Sequence, residues 1–70
     1  METFGGRVRR LRESYGLSQV ELAQRVGVSQ SNISAYEGDR QEPKMGILIE
    51  LARTFGVSLD YMCCLTDTGQ

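Results

Sequence analysis

The sequence predicts an all-α fold of five short helices in one compact domain, and three observations carry that expectation. Apolar residues recur three and four positions apart in several windows, the spacing of one helical face. Serines precede those windows and glycines follow them, which is the punctuation of helix starts and stops. The single proline, Pro43, leaves most of the 70 residues free to be helical.

In the first window, Phe4, Val8, Leu11 and Tyr15 share a face, with Arg7, Arg9, Arg10, Arg12 and Glu13 around the remainder. Gly16 then stands where a helix C-terminal cap belongs. Ser18 precedes Glu21 by three residues, the capping-box pattern in which each side chain satisfies an orphan backbone N–H. A second helix therefore starts at Gln19, turns Leu22, Ala23 and Val26 inward, and breaks at Gly27. Val28 plugs the junction, and Ser29 caps a third helix from Gln30 to about Tyr36. That helix has Ile33 and Tyr36 on its inner side and Gln30, Ser31, Ser34 and Ala35 on its outer side.

Residues 38–42 read as a loop, with Pro43 in the first turn of a fourth helix, where its missing N–H costs nothing. Met45, Leu48, Leu51, Ala52 and Phe55 form its buried stripe, Ile47 and Ile49 fall outside the stripe, and Gly56 ends the helix. Ser58 caps a short fifth helix, with Leu59, Met62 and Cys63 inward and Asp60 suiting the helix dipole. The domain is expected to span residues 1–65, leaving a frayed tail at 66–70.

Apolar residues at 40% and charged residues at 24% fit an ordinary folded domain rather than a disordered or fibrous chain. The longest apolar runs, 47–49 and 61–65, fall far short of the ~20 residues that cross a bilayer. The N-terminus lacks the basic-then-apolar layout of an export signal, so the expected location is the cytoplasm. Cys63 and Cys64 are adjacent, which disfavours an unstrained intrachain disulfide, and without histidine they make a poor metal site. No metal or cofactor is expected. Without histidine, a glycine-rich phosphate loop or a cysteine–base pair, the parts of most hydrolytic and transfer mechanisms are missing, and the chain does not read as an enzyme.

The net charge is only −1, yet it is polarised. Residues 1–36 hold five arginines against three glutamates, whereas residues 37–70 hold three basic against six acidic residues. A polyanion should approach the N-terminal half.

Residues 17–37, Leu-Ser-Gln-Val-Glu-Leu-Ala-Gln-Arg-Val-Gly-Val-Ser-Gln-Ser-Asn-Ile-Ser-Ala-Tyr-Glu, bring together a capped helix, Ala23 at a close helix contact, Gly27 in the turn, Ile33 inside the second helix and the Tyr36-Glu37 pair at its end. This segment resembles the helix-turn-helix of the phage Cro and repressor (XRE-like) family. The likeness continues through Pro43, Leu51-Ala52 and residues 55–60, so it spans nearly the whole chain. It implies a lambda-repressor-like five-helix domain, encoded by a bacterium or phage, that binds double-stranded DNA as a transcriptional regulator, most simply a repressor. The third helix, about 29–36, would enter the major groove.

The resemblance places base contacts at Gln30 and Ser31, with Ser34 and Ala35 one turn on. Gln30 is the leading candidate because a glutamine amide bonds adenine N6 and N7 together. It implies phosphate contacts at Gln19, where side chain and helix N-terminus act together, and at Asn32, Arg40, Gln41 and Lys44. Arg10, with Arg7 beside it, is a further phosphate candidate on the basic first helix. The loop at 37–42 departs from the common pattern: its glycine is one place early, and it carries three acids where many relatives carry lysine and arginine. A shallow salt dependence is therefore expected, no steeper than about −8 in log K against log salt for a dimer.

One short helix reads few base pairs, so a homodimer on a palindromic operator with half-sites ~34 Å apart is expected. The fifth helix and the end of the fourth would form its interface. The alternative reading is a protein-interaction module, an antitoxin-like or adaptor subunit that uses the same fold and binds a partner through its acidic half.

Overall fold

The computed structural model describes residues 2–67. Five helices follow in order: α1 (Phe4–Ser14), α2 (Gln19–Val26), α3 (Gln30–Glu37), α4 (Met45–Phe55) and α5 (Leu59–Met62). Among the described residues there is no strand, and no helix is long and apolar enough to cross a membrane.

Hydroxyl caps start four of the five helices. Thr3 accepts from Gly6 N, Ser29 from Asn32 N and Ser58 from Tyr61 N. The capping box is complete: Ser18 Oγ accepts from Glu21 N at 3.0 Å, and Glu21 Oε1 accepts from Ser18 N at 2.8 Å. The fourth helix corrects an expectation. Pro43 is not in its first turn: the first helical carbonyl belongs to Lys44, an extended N-cap that receives Leu48 N at 2.9 Å, so Pro43 lies outside the helix.

All five helix ends share one geometry. A backbone N–H reaches back five residues, as in Leu17 to Arg12 O, Val28 to Ala23 O, Arg40 to Ala35 O, Val57 to Ala52 O and Leu65 to Asp60 O. The residue before each of these donors has positive φ, a conformation that penalises a β-carbon. Glycine occupies it three times, at 16, 27 and 56, but Asp39 (φ 57°) and Cys64 (φ 62°) hold the other two.

The core gathers Val8, Leu11, Leu22, Ala23, Val26, Ile33, Tyr36, Leu51, Phe55 and Met62. Leu48 and Ile47 pack against it from α4, so Ile47 belongs to the inner side. Three expected inward residues point out. Met45 and Leu59 are 75% and 43% exposed because each is the first residue of its helix, where the Cα–Cβ bond tilts off the N-terminal end. Cys63 is exposed, past the last residue of a four-residue helix that buries Met62 and packs Tyr61 against the core. Tyr15 is 53% exposed, yet its hydroxyl donates to Phe55 O at 2.7 Å and its ring meets Phe55 edge-on at 5.4 Å.

The placement of α3 depends on α1. A β-carbon at Gly5 would lie 2.3 Å from Tyr36 O and 2.6 Å from Glu37 O, so only glycine lets the two helices approach this closely. Beside that contact, Asp39 accepts from Gly5 N at 2.9 Å and from Thr3 Oγ1 at 2.6 Å. Those two bonds hold the Asp39 carboxyl below its ordinary pKa.

Candidate nucleic-acid interface

Helices α2 and α3 cross with Leu22, Ala23 and Val26 on one side and Ile33 on the other, leaving the opposite face of α3 to solvent. On that face lies an open concavity of about 640 Å³. Its walls are Gln30, Ser31, Ser34 and Ala35 from α3, Gln19 from the start of α2, and Arg40 and Gln41 from the following loop. The fold thus gathers all four base-contact candidates and three of the phosphate candidates. Asn32 and Lys44 lie outside this lining; Lys44 is exposed at the start of α4.

Behind the concavity runs a chain of hydrogen bonds that sequence reasoning missed. Arg12 donates through Nε to Glu37 Oε2 at 2.6 Å and through Nη2 to Oε1 at 3.1 Å, a two-pronged pair in which the Glu37 side chain is only 4% exposed. Arg12 Nη1 also donates to Leu17 O at 2.8 Å. The bond to Glu37 raises the pKa of Arg12. Gln19 Nε2 donates to Glu37 Oε1 at 3.1 Å, which turns Gln19 Oε1 outward to accept from Gln30 Nε2 at 3.3 Å. A buried carboxylate therefore sets the sense of one amide, and that amide sets the next. Gln30 keeps its carbonyl oxygen and its second N–H for a partner outside the protein.

The acidic loop differs from its sequence impression. Glu37 faces Arg12 inside the fold, and Asp39 caps the N-terminal end of α1, so of the loop's three acids Glu42 alone has neither engagement. Hydrogen bonds over separations of 25 and 34 residues take the Glu37 carboxylate off the surface and tie the exposed Asp39 carboxylate to the start of α1.

The first helix gives up its arginines in the same way. Arg7, 6% exposed, donates to Glu2 Oε1 at 2.8 Å, to Tyr61 O at 2.8 Å and to Thr66 O at 2.9 Å, and its guanidinium lies 4.2 Å from the centre of the Tyr61 ring. Thr66 was expected to begin the tail; the last part of that tail, residues 68–70, lies outside the described residues. Arg10 donates to Glu2 Oε2 at 2.7 Å and to Tyr61 Oη at 2.6 Å, so the structure does not bring it to the concavity. Between these guanidinium groups, Glu2 is lowered from 4.5 to about 2.

A family model for the helix-turn-helix matches residues 8–62, the stretch that holds α2, the turn and the exposed α3. The chain belongs to the Cro/repressor-like helix-turn-helix family. Among curated relatives, this helix-turn-helix chain is 38% identical over 61 residues to the HTH-type transcriptional regulator YobD of Bacillus subtilis strain 168, covering 87% of this chain and 54% of that protein. It is 32% identical over 60 residues to ImmR of the same organism, covering 86% and 47%. The chain spans about half the length of these relatives. Among solved structures, it matches the P22 c2 repressor in complex with a synthetic operator with a TM-score of 0.85 at 32% identity, covering 89% of this chain and 94% of that one. SinR in complex with DNA matches with a TM-score of 0.78 at 30% identity, covering 86% and 97%. The lambda-repressor-like five-helix architecture is thereby established.

Proposed function

We propose that this domain is a sequence-specific double-stranded DNA-binding transcriptional regulator, acting as a repressor, that inserts α3 into the major groove. The observation that carries this reading is the exposed Gln30, whose amide is oriented through Gln19 by the buried Glu37. The relay leaves Gln30 one acceptor and one donor facing outward, the complement of adenine N6–H and N7. Ser31, Ser34 and Ala35 extend the same face, with hydroxyls for several bases and a methyl for thymine. Gln19, at the N-terminus of α2, would hold a phosphate, and Asn32, Gln41 and Lys44 would flank the backbone on either side. Arg40 lines the same concavity as Gln30 and Gln41.

A single α3 spans too few base pairs for useful specificity, so the reading includes a homodimer on a palindromic operator. Its interface is α5 with the end of α4, where Leu59, Cys63 and Leu65 are exposed. Selection of binding sites from a random duplex pool tests the proposal. A recurring palindrome with adenine at the Gln30 position supports it. No enriched sequence, together with a stable complex with an unrelated protein, overturns it in favour of an interaction module.

A further inference from the structure

We infer that Arg40 is a specificity-determining residue that supplies the second turn of α3 with a base-reading guanidinium. The inference rests on the proposed DNA-reading function and deepens it. At that turn the helix itself offers little: Ser34 and Ala35 are short, and an alanine can do no more than touch a thymine methyl. Arg40 fills the gap from outside the helix. Its Nη2 donates to Ser34 Oγ at 3.1 Å, which lays the guanidinium back along α3 rather than outward along the loop. It shares the concavity with Gln30 and Ser31.

Two features of the loop direct it there. The backbone of Arg40 is tied to the same turn, with its N–H donating to Ala35 O at 2.9 Å, and the residue before it is fixed in the left-handed region with its carboxylate bound to Thr3 and Gly5. Gly38 provides the room: a β-carbon there would lie 3.1 Å from Arg40 Nε. The early glycine of this loop is thus matched to the arginine two places on. Arg7, Arg9, Arg10, Arg12 and Arg53 each face a carboxylate, whereas Arg40, like Arg25, has no carboxylate within ion-pair distance among the described residues, and of these two only Arg40 lines the concavity. One N–H is engaged by Ser34, and a guanidinium keeps enough donors to meet guanine O6 and N7 together.

The test measures affinities of the wild-type chain and of Arg40→Lys, Arg40→Ala and Gly38→Ala for the duplex selected from a random pool, for single-base variants of it, and at several salt concentrations. Base reading predicts that Arg40→Lys, which keeps the charge but not the fork, loses preference at one guanine position per half-site by roughly tenfold while its salt slope is unchanged. Gly38→Ala, which keeps the arginine but crowds it, should weaken the same position. The inference is overturned if Arg40→Lys keeps the full sequence preference and Arg40→Ala weakens all duplexes alike, with the slope smaller by about 0.9 per lost contact, the signature of a phosphate contact. Failure of the parent reading looks different, since the wild-type chain would then select no sequence at all. Thermal unfolding of each variant separates these outcomes from misfolding.

Discussion

The two basic regions of this molecule use their arginines in opposite ways. Along α1, Arg7, Arg10 and Arg12 are tied to Glu2, Glu37, carbonyl oxygens and the Tyr61 ring. Around α3, Arg40 and Lys44 face no carboxylate among the described residues, and Gln30 is exposed. Density of charge in the sequence therefore points away from the helix proposed to read DNA. Three arginines within two turns of α1 hold the fold together, while a sparse set of amides and hydroxyls and one loop arginine without a carboxylate partner lie along the open face of α3. An overall charge of −1 is compatible with binding a polyanion because the sum does not say where charges lie: the Glu37 carboxylate is turned inward to Arg12, whereas Arg40 and Lys44 are exposed.

The largest expected effect comes from breaking the inward side of this comparison at its most buried point. Glu37→Gln leaves the Arg12 guanidinium almost buried without its counter-charge, and removing one member of such a pair costs about 3 kcal/mol or more. Urea unfolding should show a lower midpoint with an unchanged slope. The same change leaves one carbonyl oxygen where two carboxylate oxygens served Arg12 and Gln19, so the sense of the Gln19 amide is no longer fixed and sequence discrimination at the Gln30 position should weaken even where the variant is fully folded. Unchanged stability would mean that the pair contributes nothing and that the inward assignment of Arg12 is incorrect.

Arg7 is the next test. Arg7→Met fills similar space but removes the guanidinium N–H groups that reach Tyr61 O and Thr66 O and one of the two guanidinium partners of Glu2, and about 2 kcal/mol of stability should be lost. Arg7→Lys should not recover the whole of it, since a point charge cannot serve three directions as the guanidinium fork does. Binding to a selected duplex at a temperature where both proteins are folded should change little. A selective loss of binding would move Arg7 to the outward group and blunt the contrast.

Which parts of this were legible in the sequence follows from how far each interaction reaches. Ser18, Ser29 and Ser58 announce helix starts, and Gly16, Gly27 and Gly56 announce ends, because caps act within five residues and leave a local pattern. Cys64 and Asp39 do the work of those glycines without looking like them. The partners of Arg7, Arg12 and Asp39 lie 54, 25 and 34 residues away, and no window contains both ends of such a bond. Gln19 and Gln30 were legible as candidates through family resemblance. The reason that Gln30 is held in one sense, a carboxylate on the far side of Gln19, required the packed structure.

A smaller effect comes from pH and isolates Glu2. Its pKa is lowered from 4.5 to about 2 by hydrogen bonds to Arg10 and then Arg7. A group whose folded value is depressed contributes its full stabilisation above the unfolded value, here above about pH 4.5, and loses it as pH falls through 2. Arg10 is half-exposed, so solvent screening keeps the contribution to about 1 kcal/mol. Stability measured from pH 6 to pH 2 should fall less steeply in Glu2→Gln than in the wild type. Parallel curves would show that the Glu2 cluster does not form in solution.

The smallest effect on stability is expected where the effect on function is greatest. Gln30 is exposed and makes a single long bond, 3.3 Å, to Gln19. Gln30→Ala removes no core contact and places a better helix former in the first turn, so unfolding should shift by no more than about 0.5 kcal/mol. Discrimination for adenine over other bases at one position per half-site should meanwhile fall by roughly 1–3 kcal/mol, the worth of one two-pronged amide contact. The salt slope should stay the same, because no phosphate contact is lost. That combination, normal folding and normal salt dependence with sequence preference missing at one position, is what an outward residue must show. If Gln30→Ala instead destabilises the fold as much as Arg7→Met does, then the amide relay is part of the scaffold, and α3 divides into inward and outward residues at a different boundary from the one drawn by exposure.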